Sequence, residues 1–137
     1  IPEISYLPFV MFLIIFFWTP PHFWALSVYR FNDYEKVKVP MLPNVKSIAD
    51  TKNQIVYYTI LLILLSYSPL ISDLISYIYL IIASLLNVVL LLNALKLRRS
   101  KEIENKPNTE GLKFFALTIF YLFSLFGALL IDNLLLL

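Results

Sequence analysis

The sequence predicts an all-α protein, a polytopic bundle of transmembrane helices with four spans. Three observations lead to this fold class: 60% of the 137 residues are hydrophobic, the mean hydropathy is +0.79, and the basic residues fall only in alternate loops. Such a composition leaves too little charge for the surface of a water-soluble domain. We therefore expect an integral membrane protein.

The candidate spans are apolar runs at about residues 6–29, 55–71, 74–95 and 114–131. Three of them approach the roughly 20 residues that cross a hydrocarbon core about 30 Å thick. The run at 55–71 is shorter, but tyrosines lie near both of its ends, as interfacial anchors do. A short turn at Ser72–Asp73 predicts that the second and third spans form an antiparallel hairpin.

Charge placement tests this topology independently, since lysine and arginine collect in loops on the cytoplasmic side of a membrane. All of them lie in or beside the loops at 30–53 and 96–113. We predict that residues 1–137 form one transmembrane domain with both termini outside. The bacterial inner membrane is the favoured location, and the mitochondrial inner membrane is the alternative.

Composition also excludes several classes of function. The net charge of +2 comes from basic residues sorted by topology rather than gathered into a patch, so no nucleic-acid partner is predicted. The absence of cysteine removes disulfides, c-type heme attachment and thiolate metal sites. The first apolar segment lacks a basic leader and a cleavage site, so we interpret it as a span. Because the chain opens on Ile1, we expect it to be part of a longer protein.

The most informative segment is FWTPPHFWALSVYRFNDYEKVKVPMLP, residues 17–43. It places Pro20, Pro21 and the sole histidine, His22, where an apolar helix leaves the membrane. Proline lacks an N–H and frees a carbonyl one turn earlier, which a membrane helix tolerates where the bend lines a protected cavity. The proline pair therefore predicts a bend beside a cavity.

If the first helix continued to about Lys36, its rotation of about 100° per residue would align one stripe of side chains. That stripe comprises His22, Leu26, Tyr29, Asp33 and Lys36, with Arg30 a quarter turn away and some of Phe17, Trp18, Phe23 and Trp24 lining an aromatic cavity below. Charged side chains at the entrance of a cavity lined by aromatic side chains suit a ligand with an anionic head group and an apolar tail.

Prenyl diphosphates are one such substrate class. Asp33 would then hold Mg²⁺ on the diphosphate, since Mg²⁺ is commonly bound by one or two carboxylates plus substrate phosphates. Arg30, Lys36 and Lys38 would neutralise charge on the departing diphosphate. An aromatic face would stabilise the allylic cation by roughly 0.5 to 2 kcal/mol per contact.

The run WTPPHFWALS, the later DY step and PMLP resemble the heme O synthases (protoheme IX farnesyltransferases), a branch of the UbiA family of intramembrane prenyltransferases. The likeness continues in a T-x-x-Q-I-x-x-Y pattern at Thr51, Gln54, Ile55 and Tyr58. It implies a nine-helix fold whose last four helices correspond to the four spans. It also implies that farnesyl diphosphate alkylates a vinyl group of heme b, a substrate rather than a cofactor, to give heme O and diphosphate.

The resemblance also implies roles for individual residues. Asp33 helps to hold Mg²⁺ and the diphosphate, with support from Tyr34 and Arg30. Together with Lys36, which the charge argument above adds, these residues form the predicted catalytic group. His22 and its aromatic neighbours line the heme or prenyl cavity. The predicted substrate-binding residues are Trp18, His22, Phe23, Trp24, Tyr29 and Lys38.

One motif of the resembled family has no match in this chain, the Asp-rich NDxxDxxxD of an earlier helix. Asn32–Asp33 supplies only its first two letters, and Lys36 stands where the next aspartate should fall. A single carboxylate supplies too few ligands to hold a magnesium diphosphate by itself. We therefore expect the chain to be inactive alone and to need the N-terminal part of the same enzyme as its partner.

Three alternatives stay open. The chain could be a non-catalytic membrane assembly subunit or a decayed gene fragment. It could be a UbiA-type prenyltransferase with another aromatic acceptor, such as a quinone precursor or a chlorin. A small transporter or channel subunit ranks last, because the mid-membrane stretches lack charged residues.

Outside the block at 17–43, the expectations are structural. We expect the loop at 96–113 to be a solvated connector, since it mixes both charge signs with Asn, Pro and Gly. Asn87 and Asn93 should hydrogen-bond across helices. Asp73 and Asp132 should lie at the far surface.

Overall fold

The computed structural model describes residues 2–38, 40–71, 77–103 and 106–136, and all the regular structure in these ranges is helical. The helices are α1 (Pro2–Tyr29), α2 (Phe31–Lys36), α3 (Leu42–Val45), α4 (Ile48–Ser66), α5 (Tyr77–Arg99) and α6 (Thr109–Leu136), with a short 3-10 helix at Ser68–Ile71. The predicted all-α fold is confirmed. The predicted turn at Ser72–Asp73 lies outside the described residues.

The four long helices α1, α4, α5 and α6 form a bundle in which α1 and α5 each pack against both α4 and α6. Fully buried aliphatic side chains fill its centre, among them Ile14, Ile55, Leu62, Leu90 and Leu125. The outer faces are also apolar, with exposed Phe and Leu side chains on α1, α5 and α6. Apolar surface of this extent suits lipid rather than water.

Three helices contain stretches long and apolar enough to cross a membrane, namely Pro8–Tyr29, Tyr77–Arg99 and Thr109–Asp132. Helix α4 is shorter, and polar residues between Asp50 and Gln54 occupy its first two turns. The predicted run at 55–71 therefore corresponds to the apolar part of α4 together with the 3-10 helix that follows it.

The expectation that the first helix continues to Lys36 is wrong. Helix α1 passes through Pro20 and Pro21 but ends at Tyr29. Arg30, with φ −98° and ψ 23°, then separates α1 from α2. The loop predicted at 30–53 also contains α3 and the start of α4, which Ser47 caps by accepting a hydrogen bond from the Asp50 backbone N–H at 3.0 Å.

Polar residues inside the bundle follow the expectations only in part. Asn87 bonds across helices as predicted, donating to Ser66 Oγ at 2.9 Å and accepting from the Tyr121 hydroxyl at 2.7 Å. Asn93 instead donates to the Val89 carbonyl of its own helix, so the cross-helix prediction is wrong there. Asp132 lies at the end of the apolar span of α6, and its side chain is fully buried. Asp73 lies outside the described residues.

Candidate functional site at the end of the first helix

A cleft of about 500 Å³ opens where α1 ends, and we call it the α1–α2 cleft. Its lining residues are Tyr29, Arg30, Asn32, Asp33, Glu35, Lys36 and Pro107. A second cleft of about 330 Å³ shares Tyr29, Asn32 and Pro107 with it. Two carboxylates, two cations and a phenol thus face one space at the end of a membrane helix.

Arg30 and Asp33 form an open ion pair at this cleft. Arg30 Nη1 lies 3.9 Å from Asp33 Oδ2, and the side chains are 54% and 65% exposed. A pair so accessible to water contributes only about 0 to 1 kcal/mol. Both groups can therefore turn to a charged ligand at little cost to the fold.

Helix α2 is held against α3 by Asn44. Its amide nitrogen donates to Glu35 Oε2 at 2.6 Å and to the Phe31 carbonyl at 3.4 Å. Between these helices Lys38 has φ 57°, the left-handed region that a lysine adopts uncommonly. Lys38 is exposed on the turn that follows α2. Neither Lys38 nor Tyr34, although both were predicted site residues, is among the residues that line the cleft.

The opposite wall depends on a partly buried polar cluster that ties α4 to the chain between α5 and α6. We call this cluster the clasp, and it consists of Lys52, Ser100, Glu102 and Asn108. Lys52 is 5% exposed, lies 2.6 Å from Glu102 Oε1 and donates to the Ser100 carbonyl at 2.9 Å. Asn108 donates to Glu102 and to Ser100, and its oxygen accepts from the Glu110 backbone N–H at the start of α6. The clasp fixes the segment that carries Pro107 into the cleft. The loop at 96–113 is exposed at Lys101, Ile103 and Lys106, as expected of a solvated connector, whereas Asn108 is buried in the clasp.

The start of α6 lies unusually close to the end of α1 because of Gly111. A Cβ at this position would lie 2.8 Å from the Ala25 carbonyl oxygen and 3.2 Å from the Tyr29 nitrogen. Glycine is typical of such close helix contacts in membranes. Since Tyr29 lines the cleft, this contact also sets the position of the cleft relative to α6.

His22 is not at the cleft but buried between α1 and α6. Its Nδ1 lies 2.6 Å from Thr118 Oγ1, and that hydroxyl already donates to the Phe115 carbonyl at 2.6 Å. Because a hydroxyl has one hydrogen, His22 Nδ1–H must be the donor to Thr118. The rings of Trp18 and Phe115 stack on the imidazole, with centroids 4.2 and 4.4 Å away.

The aromatic cavity expected beside the proline pair does not lie on the α6 side of α1, because Trp18, His22 and Phe115 fill that space. Phe17 and Trp24 instead line clefts on the side of α1 that faces α4. Trp18 also donates from Nε1 to the Thr118 carbonyl at 2.9 Å. Phe23 packs edge-on against His22 and is half exposed, whereas Trp24 points to α4 and meets Tyr58. The aromatic side chains of α1 thus lie on two different sides of the helix. The predicted stripe of side chains is interrupted at Arg30, so His22 and Asp33 do not lie on one continuous helical face.

Asp33 and Glu35 give the α1–α2 cleft the oxygen donors that Mg²⁺ prefers. Within the described ranges, no three histidine or acidic side chains are grouped so as to hold a metal by themselves. A donor set of this size suits Mg²⁺ only when phosphate and water supply the other ligands. Asp33 and Glu35 could therefore serve as two ligands of a Mg²⁺ ion whose other ligands come from phosphate and water.

Sequence reasoning placed Tyr29, Arg30, Asp33 and Lys36 near one another, and all four line one cleft in the structure. It missed Glu35, although a carboxylate two positions after Asp33 was a visible signal. It also missed Thr118, the clasp and Pro107, whose contacts with distant parts of the chain leave no local signal.

Comparisons with known proteins find one matching family profile and several related sequences. The sequence profile of the UbiA prenyltransferase family matches residues 2–119. The chain is 45% identical over 125 residues to a protoheme IX farnesyltransferase of Rhizobium rhizogenes, covering 91% of this chain and 39% of that protein. It is 45% identical over 124 residues to the one of Rickettsia massiliae (90% and 39%), and 44% over 126 residues to that of Vesicomyosocius okutanii (90% and 40%). The chain thus spans about two fifths of these relatives' length, and no solved structure matches it.

Proposed function

Because this chain belongs to the UbiA prenyltransferase family, we propose that it is part of a heme O synthase, which transfers farnesyl from farnesyl diphosphate to a vinyl group of heme b. Two lines of support meet here: relatives named protoheme IX farnesyltransferase at 42–45% identity, and the α1–α2 cleft. The chain covers 39% of the first of these relatives. We accordingly propose that the N-terminal part of the same enzyme completes the site.

The α1–α2 cleft is the single structural observation that carries the proposal. Prenyl transfer breaks the bond between the allylic carbon and the diphosphate, so negative charge grows on the departing oxygen. Arg30 and Lys36 line the cleft and would neutralise that charge. Lys38, on the adjoining turn, would add to the positive field, and Tyr34 would support Asp33 from the same short helix.

In this proposal Asp33 is the ligand for Mg²⁺, with Glu35 as a second carboxylate facing the same space. When bound, Mg²⁺ supplies positive charge to the diphosphate oxygens. Asp33 and Glu35 supply only two carboxylates, so the other Mg²⁺ ligands would come from the diphosphate and from the Asp-rich motif of the N-terminal part. The chain by itself would therefore bind its substrate weakly and turn it over slowly or not at all.

The orientation in the membrane is part of the proposal. The bundle is membrane-integral, and its two basic loops belong on the cytoplasmic side by the positive-inside rule. The α1–α2 cleft and the clasp, both built from those loops, would then face the cytoplasm of a bacterial inner membrane. Both ends of the chain would lie on the other side.

Co-expression tests this function directly. The chain and an N-terminal part with the NDxxDxxxD motif are produced together in cells that lack heme O synthase, and extracted hemes are separated by chromatography. We expect heme O from the wild type and a loss on the order of 100-fold for Asp33→Asn, the scale reported for removing one electrostatic stabiliser. Glu110→Gln is the matched control, since this carboxylate pairs with Lys96 and Lys113 outside the cleft.

Membrane levels of both polypeptides are measured by immunoblotting in every strain. Stable expression of both parts without any heme O would refute the proposal and leave the chain as a non-catalytic membrane protein. A quinone or chlorin carrying a new prenyl group, in place of heme O, would retain the prenyltransferase and replace the acceptor.

A further inference from the structure

Helices α5 and α6 pack side by side, and each has one apolar face that no other described helix covers. On α5 this face carries exposed aliphatic side chains that recur every three or four positions, namely Ile81, Leu85, Val88 and Leu92. Residues with this spacing lie on one side of a helix. The exposed side of α5 is therefore the side that contacts lipid acyl chains in a membrane.

The same side of α5 ends in two cations. Lys96 follows Leu92 by four positions and Arg99 follows it by seven, so the helical repeat keeps both on the lipid-facing side. Both residues are exposed. At a rise of about 1.5 Å per residue they lie roughly 6 and 10 Å beyond Leu92 along the helix axis. The two cations thus lie where an apolar span meets the polar layer of a membrane.

Helix α6 has the same arrangement in the opposite direction. Lys113 is exposed and lies seven positions, or two helical turns, before the exposed Phe120. Phe123 continues the same apolar face. Because α5 ends and α6 begins at the same end of the bundle, Lys113 comes close to Lys96 there.

Glu110 shows how closely these two lysines are grouped. Its Oε2 lies 3.9 Å from Lys96 Nζ, and its Oε1 lies 3.5 Å from Lys113 Nζ. One carboxylate thus lies between two ammonium groups whose side chains are each 63% exposed. Arg99 makes no ion pair within the described ranges, so these four residues together keep an excess of positive charge. We call Lys96, Arg99, Glu110 and Lys113 the α5–α6 cation cluster.

We propose that the α5–α6 cation cluster binds the headgroup of an anionic phospholipid whose acyl chains lie along the exposed faces of α5 and α6. The phosphate would pair with Lys96 and Lys113 in competition with Glu110. Arg99, one turn further along α5, would offer its planar guanidinium to the same phosphate. A soluble phosphate would use only the charges, and an uncharged lipid only the apolar faces. In the orientation proposed above, this lipid would belong to the cytoplasmic leaflet, where anionic lipids collect.

The clasp holds the chain segments that carry the cluster. The Ser100 carbonyl, next to Arg99, accepts from Lys52, and Asn108 accepts from the Glu110 backbone N–H. The end of α5 and the start of α6 are therefore fixed relative to each other, and binding does not have to order a loop. This preformed spacing distinguishes the cluster from basic loop residues in general, and it predicts that the effect of losing a lysine depends on which lysine is lost.

Lipid retained by the purified chain tests the assignment. The whole chain is reconstituted in vesicles with equal amounts of phosphatidylglycerol and phosphatidylcholine in both leaflets, so the result does not depend on orientation. The lipids that remain after extraction are quantified by native mass spectrometry. We expect the wild type to retain phosphatidylglycerol selectively. Lys96→Gln and Lys113→Gln should each reduce that selectivity about fivefold, the equivalent of about 1 kcal/mol per cation. Lys96→Arg should preserve it.

Two further variants separate lipid binding from a structural role of the ion pairs. Glu110→Gln removes the carboxylate that competes with the phosphate, so it should raise the selectivity although both ion pairs are lost. Lys46→Gln removes the same charge from an exposed position before α4 and should leave the selectivity unchanged. Thermal unfolding shows whether each variant is folded. Lower selectivity in folded Glu110→Gln, or equal losses in Lys46→Gln and Lys96→Gln, would overturn the assignment.

Other occupants of this face give different results. Glycerol phosphate, which has the headgroup without acyl chains, should not displace the retained lipid, and displacement by it would replace the lipid site with a simple anion site. If the N-terminal part of the enzyme covers this face, the lysine-dependent selectivity would vanish in the co-expressed pair, which also overturns the assignment.

Heme O formation by the co-expressed pair is measured separately, because the lipid site requires only the membrane-integral bundle. Heme O from a pair that shows no lipid selectivity would overturn this inference and leave the proposed function standing. Lysine-dependent selectivity without heme O would support this inference and refute the proposed function.

Discussion

The Lys52–Glu102 pair allows a quantitative test of how the chain between α5 and α6 is held. In Glu102→Gln the Lys52 ammonium, whose side chain is 6% exposed, stays buried without its counter-charge. Breaking a buried pair by removing one partner costs about 3 to 5 kcal/mol. Because Glu102 is 34% exposed, water reaches the pair, and we expect a loss near the lower end, ~3 kcal/mol.

The reverse substitution should cost less. In Lys52→Met, Glu102 keeps the hydrogen bond from Asn108 and its contact with water, so we expect a loss of ~1 to 2 kcal/mol. The double variant should cost less than the sum of the two, and the difference is their coupling energy. Lys113→Met is the control, since its exposed pair with Glu110 at 3.5 Å is worth at most ~0.5 kcal/mol.

Denaturant unfolding in detergent micelles, followed through the fluorescence of Trp18 and Trp24, gives the free energies of unfolding. Repeating it at high salt should leave the Lys52–Glu102 coupling nearly unchanged, because buried pairs are screened little. A cost for Glu102→Gln no greater than that for Lys113→Met, or strict additivity of the two single variants, would refute the reasoning.

Two further predictions concern helix contacts, and thermal unfolding in nanodiscs checks both. Gly111→Ala should destabilise the chain by ~1 to 3 kcal/mol, because its Cβ would lie 2.8 Å from the Ala25 carbonyl. Gly127→Ala, whose Cβ meets nothing within 4 Å, should be neutral or stabilising, and equal effects at the two glycines would contradict this. Thr118→Val should cost ~1 to 3 kcal/mol by leaving the His22 Nδ1–H unpaired. Thr118→Ser keeps the hydroxyl and should cost much less, so equal losses would count against the hydrogen bond.

The fold class followed from the sequence because a membrane imposes a severe constraint. Backbone polar groups must be satisfied within each span, so long apolar runs become helices. The α1–α2 cleft was also within reach, since Arg30 and Asp33 are three positions apart and meet across one turn wherever that turn is helical.

The remaining parts of the site depend on contacts that are distant along the chain. His22 and Thr118 are separated by 96 positions, and Lys52 and Ser100 by 48. Nothing local in either segment specifies its partner. The predicted stripe from His22 to Lys36 depended on one uninterrupted helix, and a single non-helical residue, Arg30, invalidated it.

Helix α1 shows most clearly why spacing alone could not assign its aromatic residues. A helix that is apolar all round gives no direction from its pattern, and here two partners use different sides of it. Trp18 faces α6, whereas Trp24, six positions later and about 120° around the helix, faces α4. The same ring type therefore has two roles. Removing the His22 or Trp18 ring should therefore weaken the contact between α1 and α6, whereas removing the Trp24 ring should weaken the contact between α1 and α4.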